Sequence, residues 1–152
     1  MIVNTGMTVR RRNVKVPKPK KRTVASVKKI AWKWFSQYIR MRDCLKTTGC
    51  TSWGLCITCS KRLHIKLLQA GHFIPGRHNA NLFNEKGCHA QCFNCNINLK
   101  GNTLIYRRKI VEMYGEGYDE ILEKADGLTI KYSVGQLEEM IKEFKAMIKE
   151  ME

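Results

Sequence analysis

Residues 55–102 read LCITCSKRLHIKLLQAGHFIPGRHNANLFNEKGCHAQCFNCNINLKGN. The segment opens on one Cys-x-x-Cys pair, Cys56 and Cys59, and carries a second, Cys92 and Cys95, near its end. Four thiolates at this spacing are a strong zinc signal, because zinc prefers a tetrahedron of soft ligands and each short knuckle supplies two sulfurs. A structural Zn2+ on Cys56, Cys59, Cys92 and Cys95 would clamp a loop of 32 intervening residues and hold His72 in a fixed place. Four cysteines also close the metal to water, which disfavours a zinc hydrolase acting on a small molecule.

The charge around this segment is uneven. The chain has 152 residues and a formal net charge of +15. Residues 1–111 carry a balance of +21 and residues 112–152 a balance of −6. So basic a front suits a polyanion, and nucleic acid is the first candidate because phosphate contacts release counterions. Charge alone does not separate DNA from RNA, and a solvated basic tail is the plain alternative. Residues 1–25 read as a disordered arm that can lie along phosphates through Arg10, Arg11, Arg12, Lys20, Lys21 and Arg22, with Pro17 and Pro19 opposing regular structure. No run of eighteen apolar residues and no signal-like apolar stretch occurs, so neither a membrane nor a secretory route is expected. Seven cysteines without a signal point to zinc plus free thiols in a reducing compartment, a cytoplasm. Cys44 and Cys50 either join His64 in a second metal site or are ordinary thiols, and Cys88 is treated as a thiol too.

Periodicity predicts a helix over residues 26–43, with Ser26 as N-cap and Val27, Ile30, Ala31, Trp34, Tyr38 and Met41 on one face. Its tryptophans read as core, or less simply as base-stacking platforms. A loop is expected over 44–55. Leu63, Ile65 and Leu67 alternate as in a strand, residues 70–74 are extended, and 77–86 form a loop. The second knuckle runs into a short helix ending near Gly101, and Asn102 caps a helix over 103–114. Ser133-x-x-Gln136 is a capping box, followed by an apolar seam of Leu137, Ile141, Phe144, Ile148 and Met151. That seam packs on the rest of the domain, or forms a coiled coil in a homodimer. The division expected is a basic arm (1–25), a zinc-knuckle core with flanking helices (26–114) and an acidic helical extension (115–152).

Two knuckles flanking a His-bearing hairpin, with a helix behind the second, resemble the ββα-metal, or HNH, nuclease plan. The resemblance implies an α+β fold with a zinc-stabilised core between an N-terminal helix and C-terminal helices. It implies His72 as general base, and Asn96 and His89 as contacts of a catalytic Mg2+ or Mn2+. Taken singly, His72 could instead bond a backbone carbonyl, Asn96 cap a turn, and His89 be a buried structural residue. Arg77 and Lys100 are expected on phosphates.

Ala70-Gly71-His72-Phe73, His89-Ala90-Gln91-Cys92, Cys95-Asn96 and Lys100-Gly101-Asn102 resemble the NinG (Rap) family of phage recombination proteins. So do Tyr38-Ile39-Arg40-Met41-Arg42-Asp43, Cys56-Ile57-Thr58-Cys59, Met113-Tyr114-Gly115 and Leu137-Glu138-Glu139, covering roughly residues 26–150. The resemblance implies a structure-specific endonuclease acting on branched DNA in the host cytoplasm. Two departures from the HNH plan stand out. Gly71 takes the place where an Asp often ligates the ion. Gly87 takes that of an Asn holding the loop that orients the base, with Asn84 a nearby substitute. They leave room for a non-catalytic, zinc-dependent DNA-binding accessory protein.

Overall fold

A computed structural model describes residues 22–152. Arg10, Arg11, Arg12, Lys20 and Lys21 of the expected phosphate-binding arm lie outside the described residues. The architecture is α+β, with two small antiparallel hairpins among five helices.

The first helix, α1, spans Val24–Thr48. It starts earlier than expected because Thr23, not Ser26, is its N-cap. The Thr23 hydroxyl accepts from Ser26 N at 3.2 Å and Ser26 Oγ accepts from Thr23 N at 3.1 Å, a reciprocal capping box. It also ends later, through what read as a loop, and stops at Gly49, whose φ of +75° suits glycine. The buried face of α1 includes Phe35 and Ile39, whereas Ile30 is exposed. The stripe is wide because α1 is covered on one side by α5 (Val134–Met151) and on the other by the second hairpin.

The first hairpin pairs β1 (Trp53–Leu55) with β2 (Arg62–His64), and the first knuckle is its turn. A short 3-10 turn then leads to the second hairpin, β3 (Leu68–His72) with β4 (Cys88–Cys92), in which Gly71 faces His89 and His72 faces Cys88. The connection is not a plain loop: it carries a single helical turn, α2 (Asn79–Leu82). A π-helical turn over Asn94–Asn98 follows the second knuckle. Then come α3 (Thr103–Tyr114), as expected, and α4 (Tyr118–Asp126).

Two apolar clusters sandwich the second hairpin. Phe35, Tyr38, Ile39 and Met41 meet Phe144 and Ile148 on the α1–α5 side. Phe73, Tyr106, Ile110 and Leu122 meet on the α3–α4 side. The seam of α5 therefore packs inside the chain, with Leu137, Phe144 and Ile148 buried. The expected Ser133–Gln136 capping box is present, with Ser133 Oγ accepting from Gln136 N at 3.2 Å.

A polar latch joins α1 to the hairpin. Buried Asp43 accepts from Ala90 N at 2.7 Å and from Arg42 Nε at 2.8 Å. Arg42 also donates to Glu85 O at 2.8 Å and Cys88 O at 2.9 Å. Each buried charge is thus paired and hydrogen-bonded, the condition under which burial of charge is tolerable. Tyr38 adds a bond to Glu85 at 2.7 Å; burial first, then that carboxylate, pushes its pKa up to about 12. Among the described residues no helix is long and apolar enough to cross a membrane.

Candidate metal centre and basic cavity

Hairpin geometry brings the two knuckles together. The β1–β2 turn presents Cys56 and Cys59, and the end of β4 presents Cys92 with Cys95 one turn later. The four sulfur atoms lie within 4.8 Å of one another, and Cys59 and Cys92 are 3.8 Å apart. A tetrahedron with zinc–sulfur bonds of about 2.3 Å has edges of about 3.8 Å, so the set fits a structural metal such as zinc. Cys95 N points at Cys92 Sγ at 3.4 Å, and Thr58 Oγ1 lies 3.3 Å from Cys56 Sγ. Burial works against the Cys56 thiolate, but knuckle N–H groups and the Thr58 hydroxyl outweigh it and lower its pKa to about 6. Cys59 is pushed up to about 12, first by burial and then by the neighbouring sulfurs. Cys56 thus forms its thiolate readily, whereas Cys59 and Cys92, both raised first by burial, are favoured as thiolates by a cation beside them. No second cluster forms among the described residues from Cys44, Cys50 and His64. Cys44 is wholly buried against Leu68 and Ala90, and burial raises its pKa to about 11. Cys88 is buried likewise.

Four of the other expected site residues meet in one open cavity of about 660 Å³. His72, Arg77, Asn96 and Lys100 line it together with Trp32, Arg40 and Gln69. The His72 ring is fixed on two sides. Its Nε2 donates to Leu82 O at 3.0 Å, and its face stacks on Trp32 with centroids 5.1 Å apart at 24°. The carbonyl can only accept, so Nε2 carries the proton and Nδ1 keeps a free lone pair. Burial first, and the Arg77 charge after the opposing Leu82 bond, hold the His72 pKa below 6.5, which keeps the ring neutral near pH 7. The Arg77 guanidinium sits 4.2 Å over the Trp32 ring, so that tryptophan positions both groups. Asn96 Nδ2 donates to Gln69 Oε1 at 2.8 Å. Lys100, Gly101 and Asn102 all have positive φ, 51°, 90° and 48°, so the cavity rim is a tight left-handed turn.

His89 is not brought to this cavity. It is 3% exposed and faces the α3 side, with Nδ1 3.1 Å from the Tyr106 hydroxyl and Nε2 2.9 Å from the Tyr114 hydroxyl. Tyr106 donates onward to Gly71 O at 2.8 Å, so His89 Nδ1–H donates to Tyr106 and Tyr114 donates to Nε2. Both nitrogens are engaged, and burial depresses the pKa to about 4. The residue is a strut under the hairpin rather than a metal contact. Asn84 does not hold the loop either; it caps the turn at 85–87 by accepting from Lys86 N at 3.1 Å. The loop is held by buried Asn81, which donates to Leu122 O at 3.1 Å and so fixes the neighbouring Leu82 carbonyl on which His72 depends. Arg22 pairs with Glu138 at 2.7 Å on the surface.

Arg40 and Asn81 were not read as site residues, and Trp32 was read first as core and only second as a base-stacking platform. Arg40 was visible in the Tyr38–Asp43 motif; Asn81 carried no signal beyond residue type.

A family model described as "NinG: Bacteriophage Lambda NinG protein" matches residues 6–152. No curated protein and no solved structure matches the chain.

Proposed function

This chain belongs to the NinG family, and on that premise we propose that it is a metal-dependent endodeoxyribonuclease of phage recombination, hydrolysing phosphodiesters of branched DNA through an HNH-like core. The observation that carries this reading is the His72 ring: neutral, stacked, and locked by Leu82 so that Nδ1 is free inside a basic cavity. Nδ1 takes the proton of an attacking water, and the resulting imidazolium stays bonded to the Leu82 carbonyl, which accepts from either charge state. Arg40, Arg77 and Lys100 bind the phosphates on either side of the scissile bond, and Lys20, Lys21 and the arginines of the arm extend that contact. Ile97 lines the cavity, and Phe93 and Leu99, which flank the turn that carries it, are half exposed, apolar surface suited to the unstacked bases of a junction. The donor set, amide oxygens with no thiolate, suits a hard ion such as Mg2+ or Mn2+ rather than a second zinc. When bound beside Asn96, such an ion supplies positive charge to the scissile phosphate and its leaving oxygen.

One observation favours the rival, a non-catalytic DNA-binding accessory protein: among the described residues no carboxylate lines the cavity. A cleavage assay separates the two. Zinc-loaded protein is offered a four-way junction, a flap and a linear duplex of matched sequence with Mg2+, Mn2+ or chelator, beside His72→Ala. Metal-dependent cutting of branched substrates, lost in His72→Ala, is expected. Salt-sensitive binding by both proteins without cutting in any ion would replace the nuclease with the accessory protein.

A further inference from the structure

Gln91 lies on β4 and is wholly buried. Its amide nitrogen is used twice, donating to Gly101 O at 2.9 Å and Thr58 Oγ1 at 3.3 Å. Those bonds decide which way the amide faces, and they leave Oε1 buried without a hydrogen-bond partner among the described residues. A buried acceptor left unmade carries its full desolvation penalty, so such an atom calls for an explanation. Asn96 is oriented in the same manner. Its Nδ2 is committed to Gln69, which turns Oδ1 the other way.

Both free oxygens converge on Gly71. A Cβ placed on that glycine would meet Gln91 Oε1 at 2.1 Å and Asn96 Oδ1 at 3.0 Å. The Gln91 oxygen can come this close to the backbone only because position 71 has no side chain. Two carbonyl dipoles with their negative ends directed at one spot repel each other unless a cation or a donor lies between them. The nearest charged side chains of the cavity, Arg40, Arg77 and Lys100, are not hydrogen-bonded to either oxygen. Hard divalent ions take amide oxygens and complete their shells with water and phosphate.

We propose that Gln91 Oε1 and Asn96 Oδ1 are the paired protein ligands of a divalent cation, Mg2+ or Mn2+, held beside His72, with Gln91 on β4 doing what a carboxylate at position 71 would otherwise do. The proposal rests on the reading that a divalent ion works in this cavity. Neutral ligands give a weak site that is strengthened by phosphate, which accords with the absence of a carboxylate.

The test is Mn2+ binding to full-length, zinc-loaded protein followed by electron paramagnetic resonance, where free and bound Mn2+ differ directly and no turnover is needed. Gln91→Leu keeps the volume and removes the oxygen; at least tenfold weaker Mn2+ binding is expected. Gln91→Glu adds charge at the same place, and at least tenfold tighter binding is expected. The double variant Gly71→Asp with Gln91→Ala, in which the smaller residue makes room for the new carboxylate, should bind at least as tightly as the wild type. If Gln91→Leu loses zinc or its native circular dichroism, Gln91→Glu and the double variant still decide. Mn2+ affinity unchanged in Gln91→Glu overturns the proposal, as does Mn2+ binding lost in the double variant while its zinc and native circular dichroism are kept, or a wild type that binds no Mn2+ at millimolar concentration. Mn2+ binding that follows Gln91 as expected, in a protein that never cuts DNA, leaves this site standing and overturns the nuclease reading instead.

Discussion

The two faces of the β3–β4 hairpin carry one histidine each, and the two are used in opposite ways. On the cavity face, His72 gives its Nε2 proton to Leu82 and leaves Nδ1 free. On the α3 face, His89 donates from Nδ1 to Tyr106 and accepts at Nε2 from Tyr114, with nothing free. The residues sit on adjacent strands, one register step apart, and both are held neutral by burial. What separates the proposed base from the structural histidine is the partner of the second nitrogen. Residue type and sequence spacing do not encode that partner, because it comes from α3, with Tyr106 lying 17 and Tyr114 25 residues further along the chain.

The four-cysteine cluster supports both faces, so removing it breaks the comparison altogether. Cys92→Ser, or zinc removal by chelator, should abolish the native fold, because structural zinc contributes roughly 10 kcal/mol or more of apparent binding energy. Loss of near-ultraviolet circular dichroism, restored by added Zn2+ in the chelated wild type, checks this. The next largest effect belongs to His72→Ala. It should reduce cleavage by about 10²–10⁴-fold while leaving the melting temperature nearly unchanged, as read by kinetics and calorimetry on the same sample. His89→Ala should do the reverse. Stripping Tyr106 and Tyr114 of their buried partner should cost about 2–4 kcal/mol of stability, measured by denaturant unfolding, with the folded fraction still binding Mn2+.

The pH dependence sharpens the contrast. His89 has a folded pKa of about 4, below its unfolded value of 6.5. Between those values the unfolded chain holds a proton that the folded one does not, so stability falls as pH falls from 6.5 to 4. The loss assigned to His89 is on the order of 3 kcal/mol, and it should be missing from the unfolding profile of His89→Gln. The smallest expected effect is that of Trp32→Ala. Opening the His72 ring to water relieves the burial that depresses its pKa, so the acid limb of the cleavage profile should move up, by less than about one unit.

Much of this was legible in the sequence where a local rule governs. Cysteine spacing identified the cluster, and the 103–114 span of α3 was read after Asn102, which stands at the cap position in a left-handed conformation without a side-chain cap bond. The Ser133 box and the α5 seam were legible too. The extent of α1 was missed because Ser26 is a good cap that happens to serve at the third helical position of a box begun by Thr23. The strand β4 was not separately visible because all five of its residues are buried, which erases the alternation of a half-exposed strand. Gathering His72, Arg77, Asn96 and Lys100 needed only the knuckles to close. Excluding His89, and adding Trp32, Arg40 and Asn81, needed tertiary contacts from α1, α3 and α4.

The crowding around Gly71 bears on how this chain can change over generations. Any side chain at 71 runs into the Gln91 amide, and any shortening at 91 leaves a hole beside the glycine. Positions 71 and 91 are therefore bound in epistasis: a carboxylate at 71 becomes acceptable only after 91 has already shrunk. The intermediate is either a clash or a void, so the two positions should be found exchanging together or not at all.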